Sequence, residues 1–202
     1  MTEPFVFKYV PGVSAQTLLL LHGTGGNEED LLPLGRTLAP SATLLSPRGQ
    51  VLEGRMPRFF RRLAEGVFDQ EDLAFRTDAL AAFVRQQVLE RGLNPAGIVA
   101  VGFSNGANIA ASLLLRHPGL LSQAVLWRAM VPFEHGSPGG LSGTRVRLGE
   151  GRFDPIVPVE NAERLAGLLR KAGAEVTLDW REAGHQLQPG EVEDARVWLG
   201  IP

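Results

Sequence analysis

Short apolar and β-branched runs alternate along the chain with longer amphipathic stretches. Strand-like runs fall at Phe5 to Val10, Thr17 to Leu21, Ala42 to Ser46, Ile98 to Phe103, Ser122 to Trp127, Arg145 to Leu148 and Glu175 to Arg181. Leu18 to Leu21 and Ile98 to Val101 are continuously apolar, as expected of central parallel strands covered on both faces. The last run alternates strictly, with Val176, Leu178 and Trp180 on one face and Glu175, Thr177, Asp179 and Arg181 on the other. That pattern predicts a half-exposed strand near a sheet edge.

Between these runs the period changes. From Glu71 to Arg91, Leu73, Thr77, Leu80, Val84 and Val88 recur every three or four residues, which makes one stripe of a helix. Ala162, Leu165, Ala166 and Leu169 form a second stripe that Gly173 can close. Further helices are predicted at Glu28 to Leu38, Asn105 to Arg116 and Glu191 to Leu199. Strands alternating with helices imply an α/β fold, a mostly parallel central sheet with helices on both faces. In such sheets the chemistry lies on loops at the carboxyl ends of the strands. No repeat or long linker interrupts the pattern, so one domain over residues 1–202 is expected.

Composition narrows the chemistry. A chain of 202 residues buries about 70% of its unfolded surface, enough for a core without disulfides or metal. It has no cysteine, which removes thiolate nucleophiles and thiolate-ligated metal sites. With 20 basic and 22 acidic residues it lacks the basic excess of a nucleic-acid or anionic-membrane binder. The first residues carry no basic, apolar leader pattern, and no apolar run reaches the roughly 18 residues of a membrane span. A soluble, cytoplasmic protein with a small, roughly neutral partner is expected.

The candidate chemistry begins at Gly102-Phe103-Ser104-Asn105-Gly106, between the strand ending at Phe103 and the following helix. This is a G-x-S-x-G elbow in the required context of strand, sharp turn and helix. A serine hydroxyl needs a base, and the base an orienting carboxylate, in the chain order serine, acid, histidine. Of the three histidines after Ser104, His117 ends a helix before Pro118 and His135 lies in a Gly-rich loop, so both suit structural or solvated roles. His185 follows the strand ending at Arg181 and fits both chain order and sheet edge. Asp154 is the expected acid, with Glu150, nearer its strand end, as the rival. The oxyanion donors would be the backbone N–H groups of Asn105 and of Thr24, the latter in His22-Gly23-Thr24-Gly25-Gly26-Asn27 after an earlier strand. His22 is expected to brace that loop.

These motifs resemble the α/β-hydrolase superfamily and, within it, the small carboxylesterase/phospholipase family that includes acyl-protein thioesterases. The likeness runs through Leu20 to Glu28, the elbow, Gly151-Arg152-Phe153-Asp154-Pro155-Ile156-Val157-Pro158 and Gly184-His185. Leu45-Ser46-Pro47-Arg48-Gly49 and the stretch from Arg58 to Asp69 bring it nearer a bacterial subgroup linked to hydroquinone or catechol metabolism. The resemblance implies Ser104 as nucleophile, His185 as base and Asp154 as its partner. It also implies short-chain carboxylic esters as substrates, no cofactor or metal, and often a homodimer. The chain departs from thioesterase relatives at Asn105, where glutamine is usual.

Two segments are expected at the substrate pocket. Gln50 to Gln70 is long for a strand–helix connection and supplies Met56, Phe59, Phe60 and Phe68 beside Arg55, Arg58, Arg61 and Arg62. It is read as a short lid whose arginines, Arg61 and Arg62 in particular, favour acidic or phenolic substrates. Met130 and Val131 belong to the second segment. There is no room for a large cap domain. The rival functions are an acyl-protein thioesterase or lysophospholipase and, in another class, a noncatalytic ligand sensor on a hydrolase scaffold.

Overall fold

The computed structural model describes residues 4–133 and 139–200; the role expected of His135 lies outside the described residues. In chain order the elements are β1 (Phe7–Val10), β2 (Thr17–Leu21), α1 (Leu32–Leu38), β3 (Thr43–Pro47), β4 (Val51–Glu53), β5 (Met56–Arg58), β6 (Arg62–Ala64), β7 (Val67–Phe68), α2 (Gln70–Arg91), β8 (Ile98–Phe103), α3 (Asn105–Arg116), β9 (Gln123–Trp127), β10 (Arg145–Gly151), α4 (Val159–Lys171), β11 (Glu175–Arg181) and α5 (Pro189–Leu199).

Seven strands form one sheet in the order β1-β3-β2-β8-β9-β10-β11, with β1 antiparallel to β3 and the other pairs parallel. Side-chain alternation divides the core between the two faces. Leu19, Leu21, Ala100, Leu126 and Leu148 pack with residues of α2, α3 and α4. Leu18, Leu20, Val99, Val101, Val125 and Trp127 pack with residues of α1 and α5. The strictly alternating run forms β11 at the sheet edge.

The topology determines where a site can lie. After β2 the chain moves outward to β3, then returns through α2 to place β8 on the other side of β2. The strand order therefore reverses between β2 and β8, and a crevice opens at their carboxyl ends. The loops leaving those two strands are the Gly-rich loop at His22 and the elbow at Ser104.

Several boundaries differ from the sequence reading for identifiable reasons. Glu28 to Leu31 stay outside α1: Asn27 Oδ1 accepts from Glu29 N–H, which makes a turn, and a proline occupies the first turn of the helix. α5 starts earlier than expected because Pro189 opens it and Gln188 and Glu191 form a reciprocal capping box. β10 runs on to Gly151, so Glu150 is a strand residue. Residues 50–70 are two small hairpins, β4–β5 and β6–β7, with Gly54 and Gly66 left-handed at φ +63° and +73°.

The start of α3 rests directly on the end of β2. A Cβ on Gly106 would sit 1.9 Å from the Leu21 carbonyl oxygen, and backbone cannot give way there. Gly106→Ala is expected to destabilise the protein by at least about 3 kcal/mol in chemical denaturation. Gly167→Ala, in an exposed turn of α4 with nothing within 4 Å of the new methyl, should be neutral or stabilising by up to about 1 kcal/mol. Equal stabilities for the two variants would contradict this packing.

Candidate active site

Ser104 occupies the turn between β8 and α3 with φ 52° and ψ −115°. A non-glycine residue held in this region carries on the order of 1–3 kcal/mol of strain. Its N–H donates to Trp127 O (2.9 Å) and its carbonyl accepts from Asn108 N–H (2.9 Å), which fixes the turn from both sides. Although Ser104 stands at the N-cap position, its hydroxyl makes no capping bond. Oγ lies instead 2.9 Å from His185 Nε2.

His185 Nδ1 is 2.7 Å from Asp154 Oδ2. The Asp154 carboxylate is fully buried, and its other oxygen accepts from Ile156 N–H (2.8 Å) and Val157 N–H (3.2 Å). Those donors fix the rotamer of the carboxylate and aim Oδ2 at the histidine. A proton on Nδ1 shared with Asp154 leaves Nε2 as an acceptor for the serine O–H, the tautomer this network requires.

Glu150, the rival acid, points elsewhere. Fully buried within β10, it accepts from Ala129 N–H through Oε1 (2.9 Å), while Oε2 has no partner. Burial pushes its pKa well above the ordinary carboxylate range. A neutral acid cannot supply the charge that orients an imidazolium.

The Gly-rich loop comes within reach of Ser104. Thr24 and Asn105 line one cavity of about 330 Å³ together with Arg58, Phe68, Met130 and the Ser104–His185 pair. Within that loop the N–H groups of Gly25, Gly26 and Asn27 are engaged by Pro57 O, Gly23 O and Asp30 Oδ2. His22 holds the loop from below, its Nδ1 2.7 Å from Gly23 O and its Nε2 accepting from Gly49 N–H (3.0 Å). Burial lowers its pKa and keeps the ring neutral, as this bridging role needs.

The expected pocket residues separate into two groups. Phe68 and Met130 line the cavity. Phe59 and Phe60 do not: they lie between the two hairpins, are 2% and 0% exposed and pack in the core cluster shared with α2 and α3, which corrects their expected place in the pocket. Met56 is exposed and lies against Gly25, and Val131 is buried in the core, its N–H held by Asn161 Oδ1. The Asn105 side chain, which departs from the thioesterase pattern, accepts Phe59 N–H through Oδ1 (2.7 Å) and so ties the elbow to the hairpin segment. His117 bonds Asp78 near the end of α3, remote from the cavity.

Arg128 was not singled out by the sequence. It follows Trp127 at the end of β9, fully buried and left-handed at φ 58°. Its guanidinium makes a double ion pair with Glu191 (2.7 Å each) and donates to Gly184 O (3.1 Å), Gln186 O (2.9 Å) and Gly149 O (2.8 Å). The carbonyls on both sides of His185 are thus held by one side chain. An arginine inside the apolar run Leu126 to Val131 was the available signal, since a buried cation requires a partner.

Comparison with known proteins gives the family. The family model described as phospholipase/carboxylesterase matches residues 12–201, and the chain belongs to that family of α/β-hydrolases. MhqD of Bacillus subtilis is 48% identical over 190 residues, covering 94% of this chain and 95% of that protein. The Bacillus cereus carboxylesterase superposes with a TM-score of 0.95 at 48% identity, covering 97% of this chain and 93% of that one. YahD, solved with malic acid, superposes with a TM-score of 0.91 at 31% identity over 98% of each chain. The protein is a carboxylic ester hydrolase.

A raised native pKa at Glu150 has a signed consequence. The native state keeps a proton that the unfolded chain releases near pH 4.3, so stability is lost as pH rises from there through the native pKa. Glu150→Gln removes that loss while keeping the acceptor for Ala129. Its melting temperature relative to the wild type should therefore rise progressively as pH increases above about 4.3, with ester turnover retained. A pH-independent difference, or loss of turnover comparable to that of Asp154→Asn, would contradict the assignment.

Proposed function

We propose that the protein cleaves small carboxylic esters through a covalent acyl-enzyme on Ser104. The observation that carries this reading is the continuous chain Ser104 Oγ, His185 Nε2, His185 Nδ1, Asp154 Oδ2, with links of 2.9 and 2.7 Å, opening into a cavity on the crevice side of the sheet. His185 takes the proton as Oγ attacks the ester carbonyl carbon, and Asp154 stabilises the resulting imidazolium. Negative charge then develops on the former carbonyl oxygen, toward the N–H groups of Thr24 and Asn105. Each such donor is worth about 2.7–4 kcal/mol of barrier where it has been measured. His185 returns the proton to the departing alcohol. A water molecule enters and gives a proton to His185 as its oxygen attacks the acyl carbon; the bond to Ser104 Oγ then breaks, His185 returns the proton to Oγ, and the carboxylic acid leaves.

The size and lining of the cavity favour short acyl and aryl groups over long lipid chains. At about 330 Å³ it lies at the lower end of small-molecule sites, and the charged residues Arg58, Arg62 and Glu65 are part of its lining. YahD's malic acid is a molecule of the size this reading calls for.

The test is covalent labelling with a fluorophosphonate followed by peptide mapping, alongside turnover of short aryl esters. Label on Ser104 and a loss on the order of 10⁶-fold in Ser104→Ala are expected. A folded protein that takes no label there, or a Ser104→Ala variant that retains turnover, would overturn the proposal.

A further inference from the structure

The four arginines of residues 50–70 divide sharply: Arg55 is exposed and does not line the cavity. Arg61 is exposed and paired with Asp69, away from the cavity. Arg58 and Arg62 line the cavity that holds Ser104. The Arg58 side chain is only 4% exposed. Its Nε donates to Phe60 O (3.2 Å), and its Nη1 donates to Thr24 Oγ1 (2.7 Å) and lies 3.3 Å from Glu53 Oε2. Arg62 occupies both oxygens of the same Glu53, at 2.9 and 2.6 Å. One carboxylate therefore serves two guanidiniums. The other acid in the lining, Glu65, is exposed.

A guanidinium cannot escape burial by losing its proton. Burial and the charge on Arg62 lower the pKa of Arg58 despite Glu53, which marks a cation lacking a full counter-charge. Interior cations of this kind are stabilised by an anion with matching geometry, and a carboxylate suits the fork of Arg. The space beside Arg58 is the space a substrate must enter to reach Ser104.

We infer that Arg58, supported by Arg62, forms a carboxylate subsite, and that the preferred esters carry a free carboxylate in their acyl or alcohol part. This rests on the ester-hydrolase reading and names its substrate class. Because Arg58 also holds Thr24, its loss lowers turnover of every ester, and the readout is therefore a ratio.

The experiment compares kcat/KM for two isosteric pairs on the intact protein: monoethyl glutarate against its terminal amide, and 4-acetoxybenzoate against 4-acetoxybenzamide. The first pair places the carboxylate in the acyl part, the second in the leaving group. In at least one pair the anionic ester should be favoured about tenfold or more, equivalent to about 1.4 kcal/mol, and the preference should shrink with added salt. Arg58→Met should bring the ratio near one, Arg62→Gln should lower it, and Glu53→Gln, which releases both guanidiniums, should raise it. Glutarate should inhibit wild-type turnover of a neutral ester more strongly than glutaramide, a result that does not depend on any variant folding. Wild-type ratios of one or less in both pairs would overturn the subsite while leaving esterase activity in place. Equal losses on both members of every pair that the wild type discriminates, in Arg58→Met, would restrict Arg58 to bracing the oxyanion loop and also overturn it. Failure of all esters together with an unlabelled Ser104 would remove the esterase reading and the subsite with it.

Discussion

The site depends on one strained residue. Ser104 is held at φ 52° because β8 must end and α3 begin within a single peptide, and the hydroxyl is thereby lifted off the helix and toward His185. The strain, roughly 1–3 kcal/mol, persists because the surroundings allow no alternative. Trp127 O anchors the amide of the turn from the neighbouring strand, and Gly106 lies against Leu21 O with no space for a side chain. The stability of the sheet is thus coupled directly to the presentation of one oxygen atom.

Around that turn, the loops at the crevice are tied to one another sideways. Asn105 joins the elbow to the hairpin segment through Phe59 N–H. His22 joins the loop after β2 to the loop after β3 through Gly49, and Arg58 reaches across to Thr24. Arg128 holds the loop carrying His185 through carbonyls on both sides of it. Breaking a buried pair such as Arg128–Glu191 typically costs about 3–5 kcal/mol, so the histidine sits on a segment that cannot drift cheaply. Preorganisation of this kind holds a serine, a histidine and an aspartate far apart in the chain within hydrogen-bond reach of one another, as the proposed mechanism requires.

What could be read from the sequence was what is local or ordered along the chain. The elbow is five consecutive residues between a strand and a helix, and Asp154 and His185 stand out because each follows a strand in the required order; the structure brings both within hydrogen-bond reach of one another and of Ser104 through His185. The two faces of the sheet were visible as alternation, and the edge position of β11 as its strictness. What escaped depends on distant partners. Nothing near Arg128 announces Glu191, 63 residues later, and nothing near Asn105 announces Phe59. Phe59 and Phe60 looked like pocket residues because two aromatics beside arginines in a long connection suggest a lid. In the structure they lie in the link between the β4–β5 and β6–β7 hairpins and pack into the core, while Arg58 and Phe68, within the hairpins, line the cavity. Glu150 was closer to its strand end than Asp154, yet extension of β10 by three residues beyond Leu148 buried it beneath Ala129.

The most direct test of the account is to quench the protein during steady turnover of an aryl acetate at saturating substrate and map acetylated peptides by mass spectrometry. The account predicts one acetyl group, on Ser104, that disappears as substrate is exhausted. Sustained turnover with Ser104 unacetylated, or with the acetyl group on another residue that clears at the turnover rate, would contradict it.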